Sequence, residues 1–447
     1  MNKRLPGAYI NVKGLRSNIM AQAGERGTVF TIFSDLNWGE DGVVEVTLDS
    51  DFRSLFGKEL TDAKLVGLRL ILNNAHKAII YNVNPGSKAS AESTVLPWYL
   101  TAKYNGDIGN DIKVTVSPDP NSALKWTVTT IYGTQVVDTQ TITKASELKA
   151  NGYVELSIKN EAKTDDGVAM LQALTSPITV PMTGGTSTPT ADTITKIQQA
   201  IETNDFETMV VASAPDTSEI HAVIATAAKR LREQQGRKVQ AVVPVDAGIE
   251  ADYEGIIVVG NAIVLDDDTQ LTQSQTAGFV AGATAAAQPN ESLTYRVIPG
   301  AKDVVPRFTD EQAIEEVNKG HLIMIAQRDQ VKVLQDINSL HTFTETKPYD
   351  FSKNRPLRVL DDIANTVRKT WEDSFIGQVT NNATGRDLFK GTLAEYLTSL
   401  QSSSAIQDFK MEDISVLPGQ DKDTVVVTLA VTPTDAMEKL YMEVTSR

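Results

Sequence analysis

The sequence predicts a multi-domain protein of mixed α+β and α/β character, and three observations carry that expectation. Its 447 residues exceed the roughly 250–300 at which a single hydrophobic core stops growing. Residues 98–182 hold only short alternating strands, whereas residues 191–340 alternate apolar strand runs with helical patterns. Both ends read as strands with no obvious partner in their own sequence neighbourhood.

Taken in order, residues 1–26 form an N-terminal arm. Leu5-Pro6-Gly7-Ala8-Tyr9-Ile10-Asn11-Val12-Lys13 places Ala8, Ile10 and Val12 on one face, before a polar stretch at 16–26. Residues 27–97 read as a small α/β unit, with strands at 28–33, 43–48 and 77–83 and Leu65, Leu68 and Leu72 at helical spacing. It is too small for a comfortable core, so it is expected to pack with the C-terminal domain as one discontinuous domain. Residues 98–182 carry alternation at Ile112, Val114 and Val116, at Leu124, Trp126 and Val128, and at Val154, Leu156 and Ile158. With turn residues between the runs, this is the pattern of a β-sandwich or small barrel.

Thr183-Gly184-Gly185-Thr186-Ser187-Thr188-Pro189-Thr190 reads as a flexible boundary, opening a three-layer α/β domain over 183–340. There Ile220, Val223, Ile224, Ala227 and Leu231 share a helix face. The helix bearing Ala277, Gly278, Ala281, Gly282 and Ala285 is built for close packing on a sheet. Thr309-Asp310-Glu311-Gln312 has the capping-box form, and 322–326 with 331–334 resembles a hairpin around Arg328-Asp329. Residues 341–422 carry two helices, near 357–375 and 386–399, and 423–447 close the chain as strands. Val425, Val427, Leu429 and Val431 alternate along the first strand, and Leu440, Met442 and Val444 along a last short one. A terminal strand without a mate exposes backbone donors and acceptors, and pairing with another copy of the chain is one stable solution.

Composition narrows the function. Hydrophobic content of 41% and charged content of 22% are ordinary for a soluble globular protein, and no cysteine is present, which excludes disulfides, thiolate metal sites and thiol catalysis. A net charge of −15 disfavours general affinity for nucleic acid. No apolar run reaches membrane-span length, and the basic start leads into no apolar signal region, so a cytoplasmically made protein is expected.

Chemistry is sparse. There is no phosphate-binding Gly-x-x-x-x-Gly-Lys motif, and Tyr104-Asn105-Gly106-Asp107-Ile108-Gly109-Asn110 precedes a strand rather than a helix, as a tight turn would. His76, His221, His321 and His341 show no metal-ligand spacing, and Asp266-Asp267-Asp268 lacks the glycine and distal glutamate of a calcium loop. Asp246 after an apolar strand and His221 near a helix start suggest a hydrolase, but no serine is in a recognisable nucleophile turn. No catalytic, cofactor-binding or metal-binding residue is therefore assigned, and the chain is read as a non-enzyme needing no cofactor.

Several segments together resemble contractile phage tail sheath proteins, of the type found in phages, defective prophages and tail-like bacteriocins of Gram-positive bacteria. They are Leu5-Pro6-Gly7-Ala8-Tyr9-Ile10-Asn11, Lys103-Tyr104-Asn105-Gly106-Asp107-Ile108-Gly109-Asn110-Asp111-Ile112, Thr183-Gly184-Gly185-Thr186, Asn354-Arg355-Pro356-Leu357-Arg358-Val359-Leu360-Asp361-Asp362-Ile363 and the strand-rich ending. The resemblance implies an outer β-sandwich, a middle domain of subtilisin-like fold without protease activity, and an inner α+β domain assembled from both chain ends. It implies self-assembly into hexameric discs stacked helically around a tail tube, with baseplate and tail-terminator proteins as further partners. Assembly would take place in the bacterial host cytoplasm, and the sheath would contract to drive the tube through a target envelope.

Under this reading Ala8, Tyr9, Ile10, Val12, Val425, Val427, Leu429, Val431, Leu440, Met442 and Val444 exchange strands between subunits, with 16–26 and 417–423 as hinges. Lys353, Arg355, Arg358, Arg368, Lys369, Arg386 and Lys390 concentrate basic charge in an acidic chain and are candidates for contact with an acidic tube. Another tail or baseplate component, or a degenerate hydrolase built around His221, are the alternatives.

Overall fold

A computed structural model describes residues 26–188 and 192–446. Residues 26–361 with 435–446 form one compact unit, and residues 362–434 form another.

The larger unit is organised by a seven-stranded sheet. Its strands run, edge to edge, His321–Leu322, Ile256–Val259, Gln240–Pro244, Thr208–Val210, Thr28–Phe33, Lys77–Asn82 and Gly42–Val46. All neighbours are parallel except Gly42–Val46, which pairs antiparallel with Lys77–Asn82. The central strands are continuously apolar because both faces are covered. Within Thr28–Phe33, for instance, Val29 and Phe33 join one core cluster and Phe30 and Ile32 the opposite one. Helices Val66–Leu72 and Gln273–Ala286 contribute to the first cluster, and helices Thr193–Thr203 and Ile220–Gln234 to the second. The result is a three-layer α/β body.

This corrects the expectation for residues 27–97. Thr28–Phe33 pairs directly with Thr208–Val210, placing three early strands in the sheet of the middle region. The physical reason lies in the small-residue helix. A Cβ on Gly282 would sit 2.5 Å from the Ile71 carbonyl oxygen, and one on Gly278 would sit 2.8 Å from that of Gly67. The glycines are small because the helix Val66–Leu72 lies against them, backbone to backbone.

The β-sandwich pairs a four-stranded sheet, ordered Ile178–Pro181, Ile112–Asp119, Ser122–Tyr132 and Gln135–Ile142, with a three-stranded sheet of Lys88–Ala91, Trp98–Asn105 and Val154–Ile158. Trp98 and Trp126 are fully buried between them. Its first strand precedes the expected boundary at 98, because the breaker Asn84-Pro85-Gly86-Ser87 masks so short a strand. Gly106 (φ +121°) is a tight turn whose added Cβ would fall 2.0 Å from the Asn37 carbonyl oxygen.

The hairpin Met324–Gln327 to Gln330–Val333 turns on Arg328 and Asp329, both at positive φ (52° and 58°). Thr309 caps the helix Asp310–Asn318 through the capping box read from the sequence. The acidic run ends in a turn in which Asp267 accepts from the Thr269 amide and Asp268 pairs with Lys302.

In the smaller unit, the end of the helix Asn354–Ser374 packs with the helix Ala383–Ser402. Tyr396 donates to Asp362 at 2.6 Å, and Trp371, Phe375 and Phe389 form an aromatic cluster. Asn382 caps the second helix by accepting from the Gly385 amide. An antiparallel hairpin, Ile414–Pro418 with Val425–Leu429, and a short pair, Ile406–Gln407 with Thr432–Pro433, complete it.

The terminal readings need correcting here. Val425, Val427 and Leu429 do have a local mate, since they pair with Pro418, Val416 and Ile414. Residues 417–423 comprise the end of one strand and the connection to the next. Val431 lies outside the strand, and residues 435–446, with Leu440, Met442 and Val444, carry no regular secondary structure within this chain. Ala8, Tyr9, Ile10 and Val12 lie outside the described residues.

Candidate functional site

The hairpin is the first candidate interaction surface. It is a two-stranded sheet, so among the described residues each strand leaves one edge unpaired. Its hydrophobic side chains are poorly covered: Leu417 and Val426 are about half exposed and Val427 nearly so. An isolated two-stranded sheet is marginal in water, and open apolar edges invite a further strand.

The second surface is the chain's end. Residues 435–438 belong to the larger unit, and there Glu438 is gripped. Its carboxylate accepts from Thr294 at 2.7 Å and from Gln335 at 2.9 Å, and forms an ion pair with Lys353. Burial pushes the Glu438 pKa up, but the hydrogen bonds from Lys353, Gln335 and Thr294 outweigh it and hold the carboxyl below its ordinary value. Beyond this clasp the chain is bare. Leu440, Tyr441, Met442 and Val444 are 75–90% exposed, well beyond the normal scatter of single surface apolar residues.

The basic residues separate into two groups. Lys353 and Arg358 are each only 3–4% exposed and cannot meet a tube surface. Lys353 is committed to Glu438 and Asp435, and Arg358 donates to the Glu291 carbonyl at 2.6 Å and to Asp336 at 3.4 Å. Burial lowers the Arg358 pKa. The two were misassigned because the motif Asn354-Arg355-Pro356-Leu357-Arg358 opens a helix inside a buried polar junction. Asn354 donates to Asp336 and the Ile337 carbonyl at 2.8 and 2.9 Å, and accepts from Gln240 at 3.1 Å. One helical turn on, Asp361 takes a bidentate pair from Arg232 at 2.6 and 2.9 Å. The polar residue types alone cannot distinguish this from a solvated basic face.

Arg355 is half-buried with partners of its own. Arg368 forms an exposed pair with Glu372 at 3.0 Å, Lys369 is exposed, Arg386 donates to Asn381 at 2.9 Å, and Lys390 is half-buried.

The structure does bring a serine to His221, which the sequence reading missed. Ser274, in the first turn of the helix Gln273–Ala286, has its hydroxyl 3.2 Å from His221 Nε2, and both residues are fully buried. The signal was the capping box Thr272-x-x-Gln275, which marks where the helix opens. The pair is not set up for nucleophilic catalysis. His221 Nε2 also lies 3.1 Å from the Pro215 carbonyl oxygen, which can only accept, so the proton belongs on Nε2 and that nitrogen cannot take another from Ser274. Burial pushes the imidazole pKa down, more than the Pro215 carbonyl and Asp216 raise it. His221 Nδ1 is buried without a partner, while Asp216, in place of orienting the ring, accepts from the Gln273 and Ser274 amides at 3.2 and 2.7 Å. Among the described residues no group of three or more acidic or histidine side chains could hold a metal ion, and no helix is long and apolar enough to cross a membrane.

A β-sandwich inserted into a three-layer α/β body, followed by a helical unit ending in strands, is the architecture of a tail sheath protein. The chain matches the phage tail sheath β-sandwich domain over residues 84–187, the sheath central domain over 187–339 and the sheath C-terminal domain over 346–447. It belongs to the phage tail sheath family, the structural sheath proteins of contractile injection systems.

Among its relatives, the phage-like element PBSX protein XkdK of Bacillus subtilis is 33% identical across 99% of this chain and 97% of its own length. The crystal structure of the sheath tail protein from Desulfitobacterium hafniense is 34% identical, covers 98% of this chain and 99% of its own, and superposes with a TM-score of 0.82. At 12% identity, the contracted helical sheath of the anti-feeding prophage shares the fold, with a TM-score of 0.58 over 99% of both chains.

Proposed function

We propose that this chain is the polymerising subunit of a contractile sheath, joined to its neighbours by strands exchanged from both termini. The observation that supports the reading is the under-sized hairpin Ile414–Pro418 and Val425–Leu429, open at both edges among the described residues, in a chain whose residues 440–444 are largely apolar, exposed and without regular secondary structure. Each backbone hydrogen bond gained by strand addition contributes roughly 0.5–1.5 kcal/mol. One added strand is weak, but a link at each end makes attachment multivalent, so a subunit stays tethered while its neighbours rotate.

The subunits stack as hexameric discs around a tail tube, bounded by baseplate and terminator proteins, and assemble in the host cytoplasm. The middle body is a subtilisin-like scaffold without activity, and its buried Ser274 and His221 are structural. Collective contraction drives the tube through the target envelope. Arg355, Arg368, Lys369, Arg386 and Lys390 are the remaining candidates for tube contact, through surface pairs of roughly 0–1 kcal/mol each, weak enough to release on contraction.

The test is assembly. A chain lacking residues 1–20 should fold, with unchanged circular dichroism, yet form no tubes or rings by negative-stain microscopy. Normal polymers from that truncated chain would overturn the role of the N-terminal arm.

A further inference from the structure

We propose that a recess in the smaller unit is the anchoring socket for Tyr441 and Glu443 of a second copy. This rests on the strand-exchange reading and gives it a point of attachment. The recess has a volume of about 460 Å³ and is walled by Trp371, Phe375, Phe389, Val379 and Val425. Its aromatic rings lie against one another, with centroids 4.7 Å apart for Phe375 and Phe389 and 4.9 Å for Trp371 and Phe389. The opening is held in shape by Asn381, which donates to the Lys422 and Thr424 carbonyls at 2.9 and 3.0 Å and accepts from Arg386 at 2.9 Å. The recess is thus preformed, and Val425 of the open hairpin is part of its wall.

Charge selects the occupant. The rim carries two cations, Arg386 and Lys422, and one anion, Asp423. In an extended strand alternate residues share a face, so Lys439, Tyr441 and Glu443 point one way and Leu440, Met442 and Val444 the other. A strand that turns Tyr441 into the recess carries Lys439 and Glu443 on the same face, so that charges of both signs meet a rim of both signs. The ring matches an apolar floor, and its hydroxyl matches a polar mouth. In its own chain Tyr441 is 90% exposed and covers nothing.

The absence of cysteine makes the test clean. Full-length chains carrying Val379→Cys and Tyr441→Cys are assembled and oxidised, and a ladder of covalent multimers on a non-reducing gel is expected. A control with Glu395→Cys, on an exposed helix face, in place of Val379→Cys should give no ladder. Polymers that form without a ladder would overturn the socket while leaving strand exchange standing; a disulfide confined within single chains would overturn it as well. In parallel, Tyr441→Ala should raise the concentration needed for assembly about tenfold or more, as loss of a buried aromatic anchor does, with Tyr441→Phe close to the parent. An unchanged threshold in Tyr441→Ala sinks the socket. Failure of the C-terminal link itself reads out separately, as normal assembly by a chain ending at Thr434.

Discussion

Glu438 fixes where the C-terminal segment leaves the body. Three donors converge on a carboxylate whose lysine partner is almost fully buried. Removing one member of such a pair leaves the other charge uncompensated, so Glu438→Gln should weaken docking of residues 435–438 by about 2–4 kcal/mol. Hydrogen exchange checks this: amides around 436–438 should exchange faster while those of the Ile256–Val259 strand do not. The carboxyl's folded pKa lies below its ordinary value of 4.5, so its contribution is complete above that pH and disappears as pH falls through the folded value. Protection, taken as the exchange rate relative to the intrinsic rate at each pH, should accordingly stay constant from neutrality down to 4.5 and be lost only in stronger acid. At the same scale, a serine-reactive fluorophosphonate should not label the parent chain at Ser274, because His221 holds its proton on the nitrogen that faces the hydroxyl. Labelling abolished by Ser274→Ala would contradict that.

Among the elements, the contact of the helix Gln273–Ala286 with the helix Val66–Leu72 sets the architecture of the larger unit. A leucine at Gly282 must displace the Ile71 backbone, so Gly282→Leu should destabilise this unit by about 1–3 kcal/mol, visible as a lower urea midpoint. An unchanged midpoint would mean that the helices separate without cost. The small-residue face was legible in the sequence, since Gly278 and Gly282 announce close approach. Its partner was not, because nothing in local periodicity says which distant helix fills the groove. The strands at 28–33 and 77–83 were equally legible as strands, but parallel pairing to residues 208–210 is a long-range choice that no local pattern records. The capping boxes and the Arg328-Asp329 turn read correctly because their chemistry is complete within four residues. Lys353 and Arg358 misled for the converse reason: a buried cation and an exposed one are the same letter, and Glu438 and Asp336 that neutralise them are remote in sequence or sit in a preceding loop.

At the scale of the whole molecule, the proposed assembly needs stable bodies and ends that neighbouring copies can take. Five basic residues remain as candidates for tube contact after Lys353 and Arg358 are withdrawn. Reversing charge at Arg368 and Lys369 together should weaken co-sedimentation with tubes several-fold at low salt and little at high salt, where exposed pairs are already screened. Equal binding at both ionic strengths would remove these residues from the tube surface. The most direct measurement is a reconstruction of the assembled sheath that resolves residues 1–20 and 439–446. Exchange between subunits requires those residues to lie as added strands on the Ile414–Pro418 and Val425–Leu429 hairpin of adjacent copies. Termini folded back on their own chain, with every hairpin edge left open, would contradict it.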